Sequence, residues 1–276
     1  MKWAADYITP MQIVFIRVLL GFCPVFLFAL SKNLLRREHL TNFVHFLVMA
    51  VLATALYYFG FAKGTQLLLS GIAGAVSGAI PIFAVITAII FLPGERISRN
   101  KLLGIVIGFI GVLMIAKPFG EAITESTIYG VLYMVMGSLS LGVSFVYAKK
   151  FISPLKIPAP ALVTYQLGAA LVLLALVTDF DGISRITENV QVLLGLIIGL
   201  GLLGTGLAYI IYYYIVEKLG AVRASSVTYI PPIVALLIGA LLVGEEIQVI
   251  DYVATLFIFF GVIMLNRQSK PRRPAR

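Results

Sequence analysis

The chain repeats itself at an offset of 150 residues. Between residues 80 and 114, ten of 35 positions carry the same residue as the position 150 further along. An apolar bias alone would supply matching leucines and isoleucines, but it would not place proline, Gly-Glu and glycine in register. A repeat of this length predicts a fold built from two related units. The most informative pairs are Pro81 with Pro231, Gly94 and Glu95 with Gly244 and Glu245, and Gly111 with Gly261.

Long apolar runs make up most of the chain. Hydrophobic residues account for 61% of the 276 positions and charged residues for only 12%. A membrane-spanning helix needs roughly 20 apolar residues, and the stretch 67–92 meets this requirement without a charge. Strands of a membrane barrel would alternate apolar and polar residues, which these runs do not. We therefore predict an all-α polytopic membrane protein with spans at 11–31, 43–62, 67–92, 102–117, 128–148, 159–178, 190–216, 221–243 and 249–266.

Positive charges are unevenly distributed among the loops. If the C-terminal tail is placed in the cytoplasm and the sides alternate backwards, 16 of the 21 Lys and Arg residues fall inside and four fall outside. Cytoplasmic loops of membrane proteins carry such an excess of Lys and Arg. The asymmetry predicts a multi-pass protein of the cell membrane (inner or plasma membrane) with a basic cytoplasmic tail at 268–276.

The two copies of the repeat face opposite ways in this assignment. The bend at 94–101 is basic and falls inside, whereas its partner at 244–251 is acidic and falls outside. Related segments with opposite charge are typical of an inverted-topology repeat. We predict a first repeat at 1–120 and a second repeat at 121–267.

The first copy is one helix shorter than the second. Subtracting 150 from the span 128–148 places its partner before Met1, and residues 2–10 resemble the junction at 149–154. We expect one of two explanations. Either an apolar run of about 20 residues precedes Met1 in the reading frame, or the chain is a genuine nine-span variant.

The residues that are matched between the two copies resemble motifs of the drug/metabolite transporter superfamily and, within it, of the EamA-type permeases. The resemblance covers almost the whole chain, and the pattern of Arg17 following Pro10 adds to it. It implies a ten-helix carrier made of two inverted five-helix repeats, of which the first helix is absent here. Members of this family move amino acids and related metabolites, sugar derivatives or cationic drugs. The motifs are Pro81, Gly94-Glu95, Gly104 and Gly111 in the first copy, and Pro231, Gly244-Glu245 and Gly261 in the second.

Polar groups near the middle of the spans are candidates for binding a solute, because they can replace the water that it loses. Pro81 and Pro231 lack an N–H and would each free a carbonyl group. Tyr229, beside the second proline, is the strongest single candidate, because a tyrosine ring can stack on an organic solute while its hydroxyl bonds to it. The predicted substrate-binding residues are Arg17, Tyr58, Ser77, Gly78, Pro81, Ser140, Ser144, Tyr209, Thr228, Tyr229 and Pro231.

Several of these residues have a structural alternative. Arg17 could extend its charge to the outer surface or face a carboxylate in the bundle. The hydroxyl groups could bond to their own helices, and Gly78 could serve helix packing. Tyr212, Tyr213 and Tyr214 lie near the end of a span and fit an interfacial aromatic belt.

The predicted spans contain no Asp or Glu in mid-membrane, where a proton relay or a cation site would normally need one. The composition therefore favours a secondary transporter or exporter of small neutral or zwitterionic metabolites, such as amino acids, that works by alternating access. Two alternatives stay open at this point. The chain could be a non-transporting assembly subunit or truncated remnant, or it could carry cationic drugs or sugar derivatives.

Enzymatic and metal chemistry find no support in the sequence. The signatures of zinc proteases, serine hydrolases and phosphate-binding loops are absent, and the two histidines lie near the predicted membrane surface. The single Cys23 excludes an intrachain disulfide. We therefore expect no enzyme activity, no cofactor and no metal. The expected partners are a small-molecule solute and the lipid bilayer, without nucleic acid, and the chain could also associate with copies of itself.

The inverted repeat predicts that the bends at 94–101 and 244–251 lie on opposite sides of the membrane. A reporter that is active in only one compartment, fused after Ile97 or after Ile247, should be active in one fusion and silent in the other. A fusion at residue 276 gives the cytoplasmic reference and should match the first bend. Equal activity from both bends would contradict the inversion.

Overall fold

The computed structural model describes residues 1, 3–92, 99–116, 125–229, 234, 238 and 248–266. Within these residues the chain is helical and contains no strand, which confirms the predicted all-α membrane fold. Short 3-10 turns lie at Trp3–Asp6, Ile183–Glu188 and Ser226–Tyr229. The helices are α1 (Pro10–Ser31), α2 (Arg37–Leu67), α3 (Ser70–Ser77), α4 (Ile80–Phe91), α5 (Arg99–Ala116), α6 (Glu125–Leu155), α7 (Ala159–Val177), α8 (Val190–Leu219), α9 (Ala221–Ser225) and α10 (Val249–Asn266).

Six helical stretches in the described residues are long and apolar enough to cross a membrane. They are α1, α2, α6, α7, α8 and the α3–α4 pair over Ile72–Phe91, while α5 and α10 contain shorter apolar stretches. Most predicted spans therefore coincide with helices. The predicted span 221–243 lies outside the described residues beyond Tyr229, except for residues 234 and 238.

Pro81 begins a helix instead of kinking one. Helix α3 ends at Ser77, and α4 starts at Ile80 with Pro81 in its first turn. Proline suits this position because the N–H that it lacks would have no partner inside the helix. A turn at Gly78 and Ala79 therefore divides the predicted span 67–92 into two helices, which together still form one stretch long enough to cross a membrane.

The start of α1 is fixed from two directions. Thr9 and Gln12 form a capping box, in which each side chain bonds to the backbone N–H of the other. The Gln12 amide also donates to the carbonyl oxygens of Asp179 and Asp181, each at 2.8 Å. These bonds tie α1 to the segment that follows α7.

Two pairs of helices related by the 150-residue offset pack against each other. Helix α1 lies against α7, and α5 lies against α10 along much of its length. Between them, α2 and α4 pack on α6, and the middle of α8 packs on α1. In both of these pairs a helix meets the helix that lies 150 residues further along the chain.

The contact between α5 and α10 is reciprocal at the level of single residues. A Cβ atom added to Gly111 would lie 2.6 Å from the carbonyl oxygen of Ala254, and one added to Gly261 would lie 2.5 Å from that of Gly104. Positions 104 and 254 differ by 150, as do 111 and 261. The glycines matched in the repeat therefore bring the two helix backbones into direct contact, as small residues do in membrane bundles.

We expect Gly111→Ala and Gly261→Ala to lower the melting temperature of the purified protein. Each added methyl group would meet backbone atoms that cannot yield, and such overpacking costs about 1–3 kcal/mol. Gly195→Ala is the matched control, because its Cβ would meet nothing within 4 Å. A melting temperature for both α5 and α10 variants equal to that of the control would contradict the close contact.

Candidate solute-binding site

Two offset-related helices each contain a stretch of wider π-helical turns. The stretch in α2 is Ala50–Ala55 and the one in α8 is Gly195–Leu207. Adding 150 to 50–55 gives 200–205, which lies inside the second stretch. π-helical turns inside α-helices are often found at functional sites. Here they lie on either side of the same buried region.

Carbonyl groups of both π stretches accept hydrogen bonds from side chains. Ser140 of α6 donates to the carbonyl oxygen of Leu52 at 2.6 Å, and the Tyr209 hydroxyl donates to that of Ala53. On the other helix, Gly204 accepts from Arg17 at 3.1 Å. These contacts join helices of the two halves at the centre of the bundle.

A cavity of about 150 Å³ lies beside the π stretches. An engineered cavity of that volume in another protein accepts benzene, so this one has the size of a small organic ring. Helices α2, α6, α8 and α9 line it, together with the turn that follows α9. None of these described lining residues is charged. They are Tyr57, Tyr58, Leu141, Phe145, Gly204, Ala208, Tyr209, Ile211, Tyr212, Ile215, Ala224, Val227 and Thr228.

Five aromatic rings form much of the cavity wall. The ring centroids of Tyr57 and Tyr58 are 4.8 Å apart, and those of Phe145 and Tyr212 are 4.9 Å apart. Tyr209 links these two pairs edge-to-face, at 6.2 Å from Tyr58 and 5.9 Å from Tyr212. Such rings offer apolar faces with a hydroxyl at the edge, which suits a solute that is partly apolar and partly polar.

Arg17 lies behind the cavity wall and is buried, with 6% of its surface exposed. Its guanidinium carbon is 3.5 Å from the centroid of the Tyr58 ring. Its Nε donates to the Thr205 hydroxyl at 3.1 Å. Neither alternative for this residue is therefore found: the side chain does not reach the surface, and its partners among the described residues do not include a carboxylate.

A second set of buried polar groups supports the cavity from the side of α7. The Gln166 amide donates to the Thr54 hydroxyl at 2.7 Å and accepts from the Tyr213 hydroxyl. Thr54 is in turn 3.3 Å from the Tyr209 hydroxyl. Each of these side chains is buried, and satisfied networks of this kind hold their members rigidly.

The structure brings some of the predicted site residues together and leaves others apart. Tyr58, Tyr209 and Thr228 line the cavity. Ser144 lies next to it and is 3.1 Å from the Tyr212 hydroxyl, whereas Ser140 bonds to α2.

Ser77, Gly78 and Pro81 do not line the cavity. The Ser77 hydroxyl donates to the Gly74 carbonyl in its own helix, as the structural alternative for hydroxyl groups expected. The side chain of Tyr229 and the whole of Pro231 lie outside the described residues.

The interfacial belt predicted for Tyr212, Tyr213 and Tyr214 is wrong for the first two. Tyr212 lines the cavity, and Tyr213 is buried against Gln166. Tyr214, in contrast, is 60% exposed. Successive helical residues point about 100° apart, so three adjacent tyrosines cannot share one environment.

Sequence reasoning also missed Thr54, Thr205 and Phe145. Thr205 carried a signal, because a hydroxyl between Gly204 and Gly206 interrupts an apolar run. Phe145 carried none, since nothing in the sequence distinguishes it from the other phenylalanines in the spans.

The EamA-like transporter family model matches residues 1–117 and 128–267 of the chain. An uncharacterized transporter of Archaeoglobus fulgidus is 26% identical over 97% of this chain and 92% of its own length. The uncharacterized transporter YoaV of Bacillus subtilis is 27% identical over 96% and 89%. The uncharacterized inner membrane transporter YedA of Escherichia coli is 26% identical over 74% and 65%.

A solved crystal structure has the same fold. It superimposes with a TM-score of 0.64 at 18% sequence identity and covers 96% of this chain and 89% of its own. The family match covers nearly the whole chain, and the three relatives are named as transporters. The chain belongs to the EamA-like transporter family, within the drug/metabolite transporters.

Proposed function

We propose that this protein is a secondary transporter that carries one small organic solute at a time through the aromatic cavity. The single observation that supports this most is the cavity itself, a ring-sized space between helices of both repeats whose described lining carries no charge. An uncharged wall favours a solute without a large net charge, because a buried ion needs a partner. Amino acids and related neutral or zwitterionic metabolites fit this description.

Alternating access gives the cavity its role in transport. The two repeats, 1–120 and 121–267, are inverted relative to each other in this proposal. One would rock against the other, so that the cavity opens first to one side of the membrane and then to the other. Residues 111 and 261 are matched in the repeat and both contact the facing backbone closely, so this contact would lie near a pseudo-two-fold axis and would serve as the pivot. We further propose export across the inner or plasma membrane, with the basic tail in the cytoplasm. The loop charges support this position of the tail.

Filling the cavity should abolish transport. In Ala208→Phe, the new ring would occupy a space the size of benzene, so the solute could no longer enter. Ala175→Phe adds the same ring at an exposed position on α7 that does not line the cavity, and it is the matched control. Both variants and the unmodified protein would be reconstituted in lipid vesicles and tested for uptake of radiolabelled compounds.

The compounds are the twenty amino acids, a neutral sugar and tetramethylammonium. We expect the unmodified protein and Ala175→Phe to take up at least one amino acid. Uptake by Ala208→Phe should be no higher than that of protein-free vesicles. Uptake of tetramethylammonium alone would support a carrier of organic cations instead. Uptake that is unaffected by Ala208→Phe would show that the cavity is not the route.

A further inference from the structure

Arg17 is a charged side chain deep inside a membrane helix. It lies two turns into α1 and exposes 6% of its surface. An ionised group in such a place is costly unless it is paired, and in membrane proteins it usually marks a functional site. The charge of Arg17 therefore requires a partner that compensates it.

The described partners of Arg17 hold the guanidinium but do not neutralise it. Nε donates to the Thr205 hydroxyl and Nη2 to the Gly204 carbonyl, both at 3.1 Å, while Nη1 lies 3.9 Å from the Met1 sulfur. All three acceptors are neutral. A guanidinium has five N–H donors, so these bonds leave donors for an anion.

The Tyr58 ring separates this charge from the cavity. The Arg17 guanidinium stacks on the Tyr58 ring at 3.5 Å, and Tyr58 also lines the cavity. The Tyr58 hydroxyl makes long contacts of 3.4 Å to the Gly204 carbonyl and the Thr205 hydroxyl. Arg17 binds the same two groups at the shorter distance of 3.1 Å, so they would stay bonded to Arg17 if the Tyr58 side chain moved.

We propose that Arg17 is the receptor for a carboxylate group of the solute. The solute's apolar body lies in the cavity against Phe145, Tyr209 and Tyr212, and its carboxylate reaches the guanidinium when Tyr58 swings aside. Arginine and carboxylate form a charge-assisted pair that can be bidentate. Thr205 and Gly204 position the guanidinium for it. This inference rests on the proposed function only in taking the cavity as the solute site.

The described cavity wall contains no acidic side chain that would bind an ammonium group. Recognition by Arg17 therefore requires the carboxylate but not the amino group of an amino acid. A small aromatic acid without an amino group should bind to the same site.

Direct binding to the purified, detergent-solubilised protein tests this by calorimetric titration. The probes are two matched pairs: phenylalanine with phenylalaninamide, and 3-phenylpropanoate with 3-phenylpropanamide. Within each pair the shape is kept and the carboxylate is replaced by a neutral amide. We expect both carboxylates to bind and each amide to bind at least about tenfold more weakly, since an ionic hydrogen-bonded pair is lost.

Arg17→Gln should remove the difference within each pair, whereas Arg185→Gln, at an exposed site, should preserve it. If Arg17→Gln does not fold, the comparison of carboxylate with amide on the unmodified protein still decides. Equal affinity within the pairs, or no binding of either carboxylate, would overturn the proposal.

The same data separate this inference from the proposed function. Transport of other solutes without any preference for carboxylates would leave the transporter standing and refute the role of Arg17. Arg17-dependent binding of the carboxylates without uptake into vesicles would support the site and refute transport.

Discussion

Carbonyl groups in the middle of a membrane must find donors inside the protein, because the bilayer core offers no water. The π-helical stretches of α2 and α8 contain carbonyl groups that meet this requirement through side chains of other helices. Their carbonyls at Leu52, Ala53 and Gly204 take hydrogen bonds from Ser140, Tyr209 and Arg17. Each of these bonds joins two helices, so the satisfaction of the backbone also fixes how the helices around the cavity are arranged.

The same constraint explains why the cavity wall is both apolar and well ordered. The tyrosines present their rings to the cavity, and several direct their hydroxyls to protein partners behind it or beside it. Tyr209 reaches α2, and Tyr212 lies within bonding distance of Ser144. A solute that enters therefore meets mainly ring faces, which give adaptable contact with little need for a particular polar group. In the binding that we propose, selectivity for a polar group would depend on Arg17, whose charge lies just beyond the wall behind Tyr58.

The glycines that are matched in the repeat hold two helices together that lie far apart in the sequence. Gly111 lies on α5 and Gly261 on α10, and each lets its own helix touch the backbone of the other helix. Contact between backbones is a favoured way to hold membrane helices together, because apolar side chains gain little by leaving lipid for a protein interior.

The sequence by itself determined the all-α membrane fold, most helix positions, the 150-residue repeat and the family, because these depend on apolar length and on residues in register. It could also identify Tyr58 and Tyr209 as site candidates. It could not separate Tyr213, which is 4% exposed, from Tyr214, which is 60% exposed, nor find the partners of Arg17. In water, the buried face of a helix is the apolar one. In a bilayer the outward face is apolar as well, so only the packing of the helices decided which side chains surround the cavity.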